Sequence, residues 1–168
     1  MDTQHPRDLS YPCAEAVAPA AVGIGAALSA ANHCGESERA LSLFDSMEVE
    51  PNHHCWVEAL TACCAGEGGG EGGGAARGAR CDHCLALLER MPAQDQLSYN
   101  AVLDVLHGTR EGERIFADAV AARAYRDFLS RRGARWTLDL HGLSSGAAQQ
   151  AVLWMLQKAQ SSHFRDVH

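Results

Sequence analysis

Asp139 and His141 are the two residues whose types and spacing speak most directly of chemistry. They stand two apart in Thr137-Leu-Asp-Leu-His141, which alternates as a strand does. That spacing predicts both on one face, with Leu138 and Leu140 turned toward the core. Gly142 ends the alternation, and Ser144 or Ser145 can cap a helix that follows. An imidazole beside a carboxylate at a helix N-terminus suits phosphodiester chemistry, the ring transferring a proton while the helix end attracts phosphate. The plainer reading of the same residues is a fold element or a nucleic-acid contact without catalysis.

Other reactive groups are read as structural. Cys81-Asp-His-Cys84, with Cys63-Cys64 upstream, has the form of a zinc knuckle. Cys63 and Cys84, however, fall on the apolar stripes of their own helices, where a thiol packs as a small hydrophobe, so no metal and no other cofactor is expected. Residues 66–74 are rich in glycine but contain Glu67 and Glu71 and lack a following Lys-Ser or Lys-Thr, so they read as a flexible insertion and not a phosphate loop. His53-His54 reads as a helix start with solvent-facing rings. Trp56, Trp136 and Trp154 offer faces for base stacking, with packing the default.

Charge narrows the partners. The 168 residues hold 14 Lys and Arg against 21 Asp and Glu, a formal charge of −7 with nine His neutral. Indiscriminate nucleic-acid binding needs cations that displace phosphate counterions, so any basic surface must be local, as in the stretch from Arg123 to Arg135. Seven cysteines with no secretory signal ahead of them read as reduced intracellular thiols. No apolar run has the length of a membrane span, which predicts a soluble protein. Residues 1–20 carry Asp2, Asp8 and Glu15 against Arg7 alone, unlike an organelle transit peptide, and are expected to be an unstructured N-terminal segment.

The elements that must position these residues emerge from internal repetition. Ala40-Leu-Ser-Leu-Phe-Asp-Ser-Met47 returns 44 residues later as Cys84-Leu-Ala-Leu-Leu-Glu-Arg-Met91, each with apolar residues at helical spacing. A helical stripe precedes each octamer, Ala27, Leu28 and Ala31 in one case and Trp56, Ala59, Leu60 and Cys63 in the other. A further stripe, Tyr99, Val102, Leu103 and Leu106, follows Met91. Gly35 with Ser37, Pro51-Asn52 and Pro92 separate the helices. The pattern predicts repeat 1 over 21–52, repeat 2 over 53–95 with a glycine-rich insertion at 66–80, and a degenerate repeat 3 over 96–131. The helix closing repeat 3 is expected from Glu111 to Arg131, with Ile115, Phe116, Val120, Tyr125 and Phe128 as its stripe. Residues 136–160 then read as strand, turn and helix, the helix carrying Ala148, Ala151, Val152, Met155 and Leu156. One strand cannot satisfy its own edges, so this unit reads as the start of a domain whose other strands are absent. The expected fold is mainly α: a short α-solenoid of helical hairpins followed by a partial α/β element.

Tyr99-Asn100-Ala-Val-Leu103, the Ala-Leu-x-Leu-Phe-x-x-Met helix and Glu50-Pro51-Asn52 resemble pentatricopeptide repeats over about residues 21–130. Leu138-Asp-Leu-His-Gly142, followed by Ala147, Ala148 and Ala151 on a helix, looks like the opening of a small MutS-related (Smr) domain, and repeats followed by this domain is itself a family arrangement. The resemblance implies a protein that binds single-stranded RNA in organellar transcript processing or stability, with mitochondrion or chloroplast as its setting. It further implies that one residue near the start of a repeat's first helix and one just before the next repeat together read one base through its Watson–Crick edge. The matching positions are Gly25 with Asn52 and Val57 with Asp95, and Asn100 begins a third pair. Gly25 has no side chain and Val57 cannot hydrogen-bond, so Asn52, Asp95 and Asn100 are the candidate base readers. Some domains related to the second motif are endonucleases, which would make Asp139 and His141 catalytic. A scaffold for protein partners is the competing reading, since helix-pair solenoids also bind peptides and the negative charge suits that role.

Overall fold

The computed structural model describes residues 19–65, 74–126, 128–133 and 135–163, and arranges them as seven helices and one β-hairpin. Helices α1 (Pro19–His33) and α2 (Ser37–Asp45) form a first pair, α3 (His53–Ala65) and α4 (Gly74–Arg90) a second, and α5 (Gln96–Leu106) and α6 (Arg110–Ala121) a third. The antiparallel strands β1 (Leu129–Arg132) and β2 (Arg135–Leu138) follow, and then α7 (Ser145–His163).

Local sequence sets the boundaries. After α1, Gly35 takes the left-handed conformation at φ 75°, and the N–H groups of Gly35 and Glu36 return to Asn32 O and Ala31 O at 3.0 and 2.9 Å. This Schellman closure satisfies carbonyls that the helix end leaves open. Asn52 Oδ1 accepts from Cys55 N at 2.9 Å at the start of α3. Asp95 and Ser98 form a reciprocal capping box on α5, and Thr109 Oγ1 accepts from Gly112 N at 3.0 Å to cap α6.

Packing follows the apolar stripes. All four positions read for α3, all four for α5, and Cys84, Leu87, Leu88 and Met91 are buried. In the first pair Leu28, Ala31, Ala40 and Phe44 are buried and Leu43 and Met47 half-buried, but Ala27 is exposed. The helix turns Ala21 inward instead. Helix α1 packs on α3, α3 on α5, and α5 on α7, giving an inner layer, while α2, α4 and α6 each pack on two neighbouring helices of it. One core runs continuously from Leu28 through Leu60 and Leu103 to Ala151. The mainly α solenoid expected from the repeats is therefore present, and no helix among the described residues is long and apolar enough to cross a membrane.

Four expectations change beyond residue 65. Residues 66–73 lie outside the described residues, as do 1–18, but 74–80 of the expected insertion are already the first turns of α4. The helix expected to reach Arg131 stops at Ala121. Arg123, at φ 57°, closes it with a second Schellman motif, in which the N–H groups of Arg123 and Ala124 reach Val120 O and Ala119 O at 3.1 and 2.9 Å. Tyr125 and Phe128 are buried as their apolar character demands, but a loop folds them over Phe116, at ring separations of 5.5 and 5.6 Å. The strand expected alone at 137–141 is instead Arg135–Leu138, paired residue by residue with β1, Leu129 facing Leu138 and Arg132 facing Arg135.

Helix α7 belongs to the same packed body as the hairpins before it. It packs on α5 and α6 as a fourth inner helix, and Gly146 makes the close approach, since a Cβ there would collide with the backbone of Leu103 and Asp104. Its buried residues are Ala147, Gln150 and Ala151, with Trp154 half-buried against Phe116 and Phe128. The expected stripe was rotated: of its members Ala151 is buried, Ala148 and Met155 are half-buried, and Val152 and Leu156 are exposed. Gln150, 1% exposed, substitutes for an apolar residue by accepting from Gly108 N at 3.1 Å.

Candidate functional site

The inner helices bring the starts of α3 and α5 side by side. Asn52 and Asp95, 43 residues apart in sequence, occupy equivalent capping positions, and His53 Nε2 lies 3.1 Å from Asp95 Oδ2 across the gap. Each cap uses one side-chain atom on its own helix and keeps a second for other contacts. Asn52 uses Oδ1 on Cys55 N, so its amide nitrogen still offers donors. Asp95 uses Oδ1 on Ser98 N at 3.0 Å and turns Oδ2 toward His53. Two helix N-termini therefore point their positive dipole ends to one edge of the inner layer.

The 139–142 turn is fastened to the same edge. Gln96 Nε2 and Asn100 Nδ2 both donate to Gly142 O, at 2.6 and 2.8 Å. Gly142 holds φ 76°, a conformation that favours glycine, and a Cβ there would displace the Gln96 amide from its bond to Gly142 O. Ser144 Oγ donates to Asn100 O at 3.1 Å, and Asp104 Oδ1 accepts from Gly146 N at 2.7 Å as α7 begins. The sequence motif around residue 140 and the candidate readers on α3 and α5 thus meet on one polar edge.

Asp139 and His141 are paired, though not as strand neighbours. Both lie beyond β2, whose ladder ends as Asp139 N donates to Phe128 O at 2.7 Å. Leu140 is 40% exposed and does not face the core. The chain instead folds into a side-chain-capped turn, in which Asp139 Oδ1 accepts from His141 N at 3.0 Å and meets His141 Nδ1 at 2.6 Å. The backbone N–H of His141 first, and its ring second, hold the Asp139 carboxyl below the usual carboxylate range. The contact occupies Nδ1 and leaves Nε2 toward solvent, the arrangement in which a carboxylate orients an imidazole. His141 is 99% and Asp139 59% exposed at the side chain, so no wall excludes water around the pair.

Asn100 also holds the fold together. Its Nδ2 donates to Gly142 O, and its Oδ1 accepts from Tyr125 Oη at 3.2 Å, so both ends of the amide hold the turn and the loop after α6. Burial, with Asp104 and Tyr99 nearby, pushes the Tyr125 phenol far above its ordinary range and keeps it a donor. Gly25 lies against α3, where a Cβ would meet the His54 ring and Cys55 Sγ, so its missing side chain serves the α1–α3 crossing. Val57 is half-buried against the core.

Sequence reasoning missed Gln96, the His53 bridge and the hydrogen bond of Tyr125 to Asn100. Gln96 and Tyr125 gave no local signal, because their partners lie 46 and 25 residues away. Cys55, Cys63, Cys84 and Trp56 are buried, and Trp154 is half-buried against the core. Cys63 and Cys84 are buried together, and the Cys84 thiol hydrogen-bonds Cys63 and lowers its pKa. No group of three metal-ligating side chains occurs among the described residues. Trp56 packs edge-on to Phe44 at 4.9 Å with Arg90 over its ring, and Trp154 joins the cluster around Phe116. A cavity of about 110 Å³ between α4, α5 and α6, lined by Leu88, Tyr99, Arg114 and Asp118 among others, lies on the other side of α5 and is too small for a nucleotide. No protein-family model, no curated protein and no solved structure matches this chain.

Proposed function

We propose that this chain binds single-stranded RNA along the edge formed by Asn52, His53, Asp95 and the 139–142 turn. The observation that carries the reading is the pair of hydrogen bonds from Gln96 and Asn100 to Gly142 O, which joins two otherwise separate motifs into one polar surface. Unstacked bases present Watson–Crick edges that small polar side chains can pair with, and Asn52 supplies donors there while Asp95 supplies acceptors. The neighbouring N-termini of α3 and α5 favour phosphate close to those side chains. Asn100 acts by fixing the turn, and Asn52 and Asp95 act on bases.

The test uses variants that keep the caps. Serine caps a helix about as well as asparagine, and asparagine as well as aspartate, so Asn52→Ser and Asp95→Asn retain the fold while changing what the edge offers a base. Selection from a randomised single-stranded RNA pool should enrich different bases with each variant than with the wild type. Identical enrichment by all three, or no binding even at low salt, contradicts the reading. No binding would favour the protein-scaffold alternative, for which α7 offers exposed Val152, Leu153 and Leu156.

A second reading adds chemistry at the same edge. The 2.6 Å contact of Asp139 with His141 Nδ1 leaves Nε2 available to move a proton at a phosphodiester. It predicts slow cleavage of bound RNA that His141→Ala abolishes while binding persists, and equal cleavage by wild type and variant would remove it.

A further inference from the structure

Charge is segregated along this acidic chain. Five of its 14 Lys and Arg fall between residues 123 and 135, where Asp127 is the one acid, and the remaining residues hold 20 acids against nine bases. The hairpin turns part of this cluster into a surface. Its register sets Arg132 opposite Arg135 and Ser130 opposite Thr137, and all four are exposed, while Trp136 and Leu138 on the other face are half-buried. Like charges directly across a strand pair repel. Among the described residues no carboxylate forms an ion pair with Arg132 or Arg135, nor with the exposed Arg123 and Arg126 that lead into β1.

Such an arrangement opposes folding slightly and is relieved by a polyanion, because each arginine that meets a phosphate releases condensed counterions. The position suits the proposed edge. Strand β2 runs from Arg135 to Leu138, directly before Asp139, so at roughly 3.3 Å per residue the Arg135 backbone lies within about 13 Å of the turn that carries His141.

We infer that the outer face of the hairpin, Arg132 and Arg135 with Arg123 and Arg126 beside it, grips the sugar-phosphate backbone of the single-stranded RNA bound at the edge. The inference rests on the RNA-binding reading and adds a division of labour to it: the edge contacts bases, and the hairpin supplies attraction that is blind to sequence.

The experiment measures binding of the whole chain to a mixed-sequence single-stranded RNA, and to inorganic polyphosphate, across a salt series. Arg132→Ser/Arg135→Ser is compared with the equally charged control Arg39→Ser/Arg110→Ser, with circular dichroism to verify that both fold. Each phosphate contact on a single strand contributes about 0.7 to the slope of log affinity against log salt, so the hairpin variant should lose about 1.4 from that slope and the control almost none. Equal losses in both variants would reduce the effect to net charge and overturn the inference. Full slope in the hairpin variant, with base preference still governed by Asn52 and Asp95, overturns it while leaving the RNA-binding reading intact. Polyphosphate binding that depends on the hairpin, without RNA binding by the wild type, overturns both assignments to RNA.

Discussion

Asn100 engages both the nitrogen and the oxygen of its amide within the fold, and this decides what its substitution does. Asn100→Ala removes the bonds to Gly142 O and from Tyr125 Oη together, and at about 1 kcal/mol each the variant should lose about 2 kcal/mol in urea unfolding. Asn100→Asp should cost at least as much, since it sets a carboxylate oxygen against the Gly142 carbonyl. A loss near zero for either would mean that the turn docks by other contacts. Asp139 gives a second residue-scale outcome. Its depressed pKa means that the folded state favours the carboxylate, so its contribution is present above the unfolded value of about 3.9 and fades as pH falls through the folded value. NMR titration should place its midpoint below that of an ordinary aspartate. His141→Ala should raise the midpoint only partway, because the backbone N–H, the larger cause, remains.

At the scale of elements, two substitutions test why the helices end and meet where they do. Arg123 holds a left-handed turn that glycine adopts without strain, so Arg123→Gly should raise stability by about 1 kcal/mol, seen as a higher thermal midpoint. Gly146→Ala should do the opposite. Its Cβ would strike the Leu103 carbonyl, and a loss of about 2 kcal/mol or more, with α7 exchanging its amide hydrogens faster, would show the helix lifting from α5. These elements also show what the sequence made legible. Every position read for the stripes of α3 and α5 is buried, though Cys55 and Ala62 on α3 and Ser98 on α5 turn inward as well. Tyr125 and Phe128 were correctly read as buried and wrongly as helical, because the aromatic spacing continues that of α6 while the break at Arg123 carries no glycine to mark it. Helix α7 misled for a different reason. It is apolar on two faces, and the one that packs is built from Ala147, Gln150 and Ala151, whose small or polar side chains give way to α5 at close range. The site was legible in part: Asp139 and His141 were recognised as a pair, but the clamp from Gln96 and Asn100 is a long-range contact without a local signature.

For the whole molecule, the consequence of α7 joining the inner layer is that one polar edge runs from the cap of α3, past the cap of α5, to the 139–142 turn, with the arginine hairpin extending beyond it. A solenoid transmits stability through neighbour contacts, so α7 is held by α5 and α6 and in turn covers them. The proposed RNA site is this edge and not the outer helices. Photo-crosslinking of a 4-thiouridine-substituted single-stranded RNA, with the modified peptides mapped by mass spectrometry, tests it most directly. The predicted crosslinks fall at residues 51–54, 94–97 and 139–143, whereas crosslinks confined to α2, α4 or α6, or none at low salt, would contradict the account.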